Sequence, residues 1–176
     1  MIVRVTLCLL VAPPFALFAQ ESRLKVTAPR VRKAAPAFSG QGIDGVSYSL
    51  AEYAGRPIIL HFWATWCVPC RGELPALQRL SERLGDRAVI LSVSADGSNL
   101  SGVQKMCREH SVSFPVLMDE DGSIRKAYEI ESLPVTYLIG SDGKFSGRII
   151  GSRDWDADDL VNDLKKILHI HGNKEI

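Results

Sequence analysis

The sequence predicts one α/β domain, and three observations carry that expectation. The run Pro57–Trp63 is almost continuously apolar, as a strand buried on both faces requires. Leu74, Leu77, Leu80 and Leu84 follow it at helical spacing. From there strands and helices succeed one another to the C-terminus, the pattern of strands covered by packed helices. A chain of 176 residues that is 46% hydrophobic can bury one full core. Its formal net charge is +1 and basic and aromatic residues are not interleaved, so no nucleic acid is expected as a partner.

Residues 1–19 read as a signal peptide. Arg4 is a short charged n-region, Val5–Ala12 the apolar segment, and Ala16-Leu17-Phe18-Ala19 a small-residue cleavage site. The apolar stretch is short for a membrane span and is interrupted by Pro13-Pro14, so an N-terminal membrane anchor is the second reading. Arg23, Lys25, Arg30, Arg32 and Lys33 follow closely, and positive flanks usually stay cytoplasmic, which counts against export. Cys8 lacks the preceding small residues of a lipoprotein signal. Residues 20–36 lack periodicity and form a basic linker or extended arm. The folded domain is expected over 37–171, with a C-terminal tail at 172–176.

The domain's elements can be placed in order. Gly40-Gln41-Gly42-Ile43-Asp44-Gly45 matches a dinucleotide-binding fingerprint by letter, but it leads into the alternating strand Val46–Leu50 rather than a helix, so it reads as a glycine-rich turn. The strand Pro57–Trp63 is followed by a helix over Val68–Leu84, with Pro75 expected to kink it. Ala88–Val93 is the next buried strand. Leu100–His110 is a helix with Val103, Met106 and Cys107 on one face. Pro115–Met118 reads as a strand and Ser123–Tyr128 as a short helix. Val135–Ile139 and Lys144–Ile150 flank the hairpin signal Ser141-Asp142-Gly143. The last helix starts in the acidic run Asp154–Asp159 and ends at Lys165 and Lys166, a charge order that suits its dipole. Leu160, Val161, Leu164, Ile167 and Leu168 give its apolar face. His169 and His171 read as frayed tail residues.

The chemistry is concentrated at Cys67-Val68-Pro69-Cys70, where the strand meets the helix. Thiols at this spacing lie one helical turn apart and can close a small disulfide ring. A cysteine at the positive end of a helix has its thiolate stabilised by unpaired backbone N–H groups and the macrodipole. Pro69 is tolerated because a first-turn residue has no intrahelical donor to lose. Two other uses of the pair are weaker. As a structural staple, so short a loop restrains the unfolded chain little. As half of a zinc site it needs a second pair, and Cys107-x-x-His110 lies far along the chain inside an expected helix.

The segment Phe62-Trp63-Ala64-Thr65-Trp66-Cys67-Val68-Pro69-Cys70-Arg71-Gly72-Glu73-Leu74-Pro75 resembles the thioredoxin-fold proteins of the TlpA/ResA type, exported relatives that include the cytochrome c maturation reductases. Phe114-Pro115-Val116-Leu117-Met118-Asp119, Leu133-Pro134-Val135-Thr136-Tyr137-Leu138-Ile139 and the Asp142-Gly143-Lys144 turn extend the resemblance over about residues 37–170. It implies a thioredoxin-like fold, a central mixed sheet with helices on both faces, and a cis bond before Pro134 facing the disulfide. By the same resemblance Cys67 is the attacking thiol and Cys70 the resolving thiol, exchanging through a mixed disulfide with no cofactor beyond the pair. Trp66 would shield the pair, and Leu133 and Pro134 would offer an edge to an extended substrate. Protein thiols and disulfides are the implied substrates, with an upstream membrane electron donor and a periplasmic or extracytoplasmic location.

Glu73 occupies the family's acidic position three residues after the second cysteine. An ordinary first-turn Glu favouring the helix dipole is the plain reading. A partly buried carboxyl beside the thiols, able to exchange protons near neutrality, is the functional one. His61 departs from the family, whose members carry Asp or an uncharged polar residue there. On a buried strand six residues before Cys67 it is either a proton relay beneath the disulfide or a hydrogen-bonded core histidine. Cys107 reads as a small buried hydrophobe.

Two competing functions are set against this reading. A peroxidase of related fold would place its cysteine in a Thr-x-x-Cys context, which Thr65-Trp66-Cys67 does not supply. A copper- or zinc-handling binding protein is the non-enzymatic alternative, because thiolates suit those ions. The Val68-Pro69 dipeptide tunes the redox potential in a direction the residues alone do not give.

Overall fold

A computed structural model of the chain describes residues 26–29 and 31–170. The leader at 1–19 with Cys8, the first part of the arm and the C-terminal tail with His171 lie outside these residues. Eight strands and four α-helices are formed in the order β1 (Val26–Thr27), β2 (Ser39–Gln41), β3 (Ser47–Ser49), β4 (Ile58–Trp63), α1 (Val68–Leu84), β5 (Val89–Ser94), α2 (Leu100–Glu109), β6 (Val116–Met118), α3 (Ser123–Ala127), β7 (Val135–Ile139), β8 (Phe145–Ile150) and α4 (Asp158–Ile167).

Six strands make one mixed sheet in the order β1-β8-β7-β4-β5-β6. β4, β5 and β6 run parallel, while β7, β8 and β1 add antiparallel on the other side. The strand β4 therefore lies near the centre with all six residues buried, which is what its almost continuous apolar run demanded. Alternate β4 side chains enter two cores. Ile59 and Trp63 pack with Leu74, Leu77, Leu80 and Leu84 of α1, Val103 and Cys107 of α2, and Leu160, Val161 and Leu164 of α4. Ile58, Leu60 and Phe62 pack on the opposite face with Ile124 of α3, Tyr128 and residues of the N-terminal segments. This is the thioredoxin-like architecture.

Most expected elements end within a residue or two of their forecast limits, where terminal turns fray and strand ends lose partners. The helix α1 runs unbroken from Val68 to Leu84 through Pro75, whose missing N–H removes only the bond to the Arg71 carbonyl. The glycine-rich stretch is a turn: the Gly45 N–H donates to the Gly42 carbonyl at 3.0 Å, and Gly45 has φ 81°, a left-handed value that glycine adopts without strain. It joins β2 and β3 as a two-stranded ribbon, and β2 had no signal in the sequence.

The arm before Ala37 is more ordered than its composition suggests. Val26 and Thr27 pair with Ile149 and Arg148 at the sheet edge. Arg32 then binds Asp142 and Ser146 at 2.9 Å each and reaches the Phe145 carbonyl at 3.2 Å. At the other terminus, His169 is not frayed. Its N–H donates to the Lys166 carbonyl, and Ile170 is buried in the α1 core. The apolar side chain that follows the helix holds its end in place.

Candidate active site

The redox pair sits where β4 hands over to α1. Trp63 ends the strand with its carbonyl accepting from the Ala95 N–H at 2.8 Å, and its indole donates to Ser92 Oγ at 3.2 Å. Asp96, just past β5, accepts from the Thr65 N–H at 2.8 Å, from the Thr65 hydroxyl, and from Ser94 Oγ at 2.7 Å. These bonds fix the short loop 64–66 to the end of the sheet. Cys67 takes the N-cap position of α1 in an extended conformation, and Cys70 lies in the first turn.

Cys67 and Cys70 form a disulfide with S–S 2.00 Å and Cα–Cα 5.3 Å. Their exposure differs slightly. Cys67 keeps 6% of its surface and Cys70 none. Of the two residues, Cys67 is the one with any surface open to solvent. Around it lie Trp66 and Val68, large apolar side chains that are about two-thirds exposed, at 66% and 67%. Pro69 is exposed as well.

The Leu133–Pro134 peptide bond is cis. Val135 pairs with Phe62, so Pro134 lies at the end of β7 level with Trp63, the same end of the sheet from which the cysteine loop departs. Pro134 is buried, Leu133 half-buried, and the Pro134 carbonyl accepts from the Gly151 N–H at 2.9 Å.

Glu73 lies on the buried face of α1, one turn beyond Cys70, and is 3% exposed. Its Oε1 accepts from the Arg153 N–H at 2.8 Å and from the Trp155 indole at 2.5 Å, whereas Oε2 is buried with no protein partner. Burial pushes its carboxyl up to about 7, with the two donors and the Arg153 charge pulling the other way. The plain first-turn reading does not describe this side chain. Trp155 and Arg153 are the residues that sequence reading missed. The cue was a lone tryptophan inside an acidic run, since a side chain of that size is costly to leave in water.

His61 is fully buried, facing the α1 core between Ile59 and Trp63. Its Nδ1 lies 2.9 Å from Thr136 Oγ1, its ring stands edge-to-face with Trp155 at 6.2 Å, and Nε2 has no partner. Burial pulls its imidazole down to about 3, so it is neutral across the physiological range. Cys107 is buried on α2 and its thiol is pushed up to about 11, which keeps it protonated and inert. Cys107 is on α2 and His110 caps its C-terminal end, while Cys67 and Cys70 are joined to each other. Among the described residues no group of three or more His, Cys, Asp or Glu side chains is arranged to hold a metal. No helix among them is long and apolar enough to cross a membrane.

Comparison with known proteins gives the class. The chain belongs to the AhpC/TSA family, which it matches over residues 31–146, and it is a thioredoxin-fold thiol–disulfide oxidoreductase. It is 31% identical over 151 residues to the thiol-disulfide oxidoreductase ResA of Bacillus cereus, covering 85% of this chain and 83% of that one. Among solved structures it resembles a putative thiol:disulfide interchange protein DsbE from Chlorobium tepidum, with TM-score 0.71 and 25% identity over 78% of this chain and 96% of the other. It also resembles the pneumococcal exposed lipoprotein thioredoxin Etrx1 of Streptococcus pneumoniae, with TM-score 0.62 and 29% identity over 74% and 99%.

Proposed function

We propose that this protein reduces disulfides in proteins outside the cytoplasm, c-type cytochrome precursors among them, and is itself re-reduced by a membrane electron donor. The observation that carries the reaction is the disulfide at the start of α1 in which Cys67 alone meets solvent. The extracytoplasmic setting draws support from the apolar leader and from the exposed lipoprotein among its structural relatives.

In the reduced protein the Cys67 thiolate, stabilised at the helix N-terminus, attacks one sulfur of the substrate disulfide. A Cys67–substrate S–S bond forms and the other substrate sulfur leaves as a thiolate. Cys70 then loses its proton and attacks Cys67 Sγ, restoring the Cys67–Cys70 bond and expelling the second substrate thiolate. Two electrons pass from the dithiol to the substrate. Glu73 is the proton partner in this scheme, because a carboxyl poised near neutrality one turn from Cys70 can take the thiol proton and return it. Trp66, Leu133 and Pro134 form the surface on which an extended substrate segment is held.

Cys67→Ser and Cys70→Ser test the assignment. Cys67→Ser should abolish insulin reduction, and Cys70→Ser should accumulate a mixed disulfide through Cys67. Full activity in Cys67→Ser would overturn the scheme. A midpoint potential as high as that of a dedicated oxidase would reverse its direction.

A further inference from the structure

Glu73 meets two donors on one oxygen and none on the other, and this asymmetry has a chemical meaning. A carboxylate oxygen that already accepts two N–H bonds has little capacity left to carry a proton. Oε1 accepts from the Arg153 backbone and from the Trp155 indole, while Oε2 is buried without a partner. The proton of neutral Glu73 therefore belongs on Oε2.

We propose that Trp155 is a positioning residue for the exchange reaction: by holding Glu73 Oε1 it fixes the carboxyl's orientation and makes Oε2 the atom that takes and returns the dithiol's proton. This rests on the role given to Glu73 above.

The indole is itself built into the fold. Trp155 is fully buried, and its ring meets His61 edge-to-face, with His61 held in turn beside Thr136 on β7. The loop that carries Trp155 is strapped to α1, the helix that bears Glu73. Arg79 pairs with Asp156, and Arg83 donates to the Asp156 carbonyl and pairs with Asp158 at 2.6 Å. Donor and acceptor are thus tied to the same rigid element, the arrangement a preorganised proton site requires.

Few charged groups bear on the carboxyl. From the loop, the Arg153 guanidinium favours its ionised form. Asp156 of that loop is taken up by Arg79. From β4, His61 stands behind Trp155 as a neutral ring. On α1 itself, Cys70 becomes titratable only when the disulfide opens.

Trp155→Phe tests the inference, because it deletes the N–H and keeps an aromatic ring against His61. In wild type, the pH–rate profile of insulin reduction should show an inflection that Glu73→Gln removes. In Trp155→Phe that inflection should move upward by about one pH unit, a tenfold change in ionisation and the scale of one charge-assisted hydrogen bond. An inflection that stays in place in folded Trp155→Phe overturns the role of Trp155. An inflection that survives in Glu73→Gln overturns instead the role of Glu73.

A second measurement needs no Trp155 variant. The indole N–H resonance of Trp155 in the oxidised wild-type protein should titrate near neutrality and stop doing so in Glu73→Gln. The other two indoles give reference signals, since Trp63 donates to Ser92 and Trp66 is exposed. A Trp155 N–H that does not respond to pH overturns the proposal even if Trp155→Phe fails to fold.

Discussion

His61 and Thr136 are direct partners in the β4–β7 ladder, and the imidazole Nδ1 lies 2.9 Å from the threonine hydroxyl. The pair closes one side of the imidazole with a neutral hydroxyl and supplies no counter-charge. Burial then dominates and lowers the imidazole from 6.5 to about 3. An imidazole with reduced proton affinity in the folded state binds fewer protons there than in the unfolded chain. Its contribution is fully present above about 6.5 and is lost as pH falls toward 3. His61→Asn should flatten the acid limb of the stability curve by on the order of 3 kcal/mol at pH 3. Urea unfolding of both proteins between pH 3 and pH 7 measures it.

Glu73 has the opposite sign. Its carboxyl rises from 4.5 to about 7 on folding, so the native state holds the extra proton. That contribution is fully present below about 4.5 and is lost as pH rises through 7. Glu73→Gln should therefore be more stable than wild type at pH 8, by up to about 2–3 kcal/mol, with no gain at pH 4. Between about 4.5 and 6.5 the slopes from His61 and Glu73 oppose each other, and wild-type stability should be nearly flat there. Thermal unfolding at closely spaced pH values would show the plateau, and each single variant should tilt it in its own direction.

Trp66 and Val68 present apolar surface on either side of Cys67 in the chain. Exposed aromatic side chains at such a point commonly anchor a partner, and truncation typically costs about 2 kcal/mol of binding. Trp66→Ala should lower kcat/KM for a protein disulfide roughly 10–30-fold, while exchange with glutathione disulfide changes less than threefold. Equal losses toward both substrates would assign Trp66 to the thiol chemistry and not to docking.

Pro134 has no N–H and lies level with Trp63 at the cysteine end of the sheet. Pro134→Ala introduces a backbone donor and removes ring surface there. Exchange with a protein disulfide should fall by about tenfold, or about 1.4 kcal/mol in the barrier. The reduced variant should also retain zinc that wild type does not, read by metal analysis after reduction and desalting. An unchanged rate with no bound metal would remove Pro134 from the substrate surface.

The strands and helices were legible because their side chains report on burial: the almost continuous apolar run of β4 and the leucine spacing of α1 leave few alternatives. The dithiol was legible for the same local reason, since a strand, two cysteines and a helix occupy consecutive positions. What escaped were relationships between distant positions. Arg153 and Trp155 reach Glu73 from about 80 residues away, with separations of 80 and 82. Apart from the size of Trp155 itself, nothing in the acidic run distinguishes a helix N-terminus from a loop that carries a hydrogen-bond donor. Asp96 was missed likewise, because an aspartate after a strand looks like an ordinary turn residue until Thr65 is brought beside it. β1 escaped because two residues carry no periodicity.

The N-terminal arm sets a direction for the whole molecule. Val26 joins the sheet opposite Ile149, one residue short of the end of β8 that lies beside Pro134, and the chain then travels away to Arg32 at the Asp142 turn. Gly147 makes this course possible, because a Cβ there would sit 2.4 Å from Val26 Cγ1. The first described residue and the dithiol thus share one pole of the sheet.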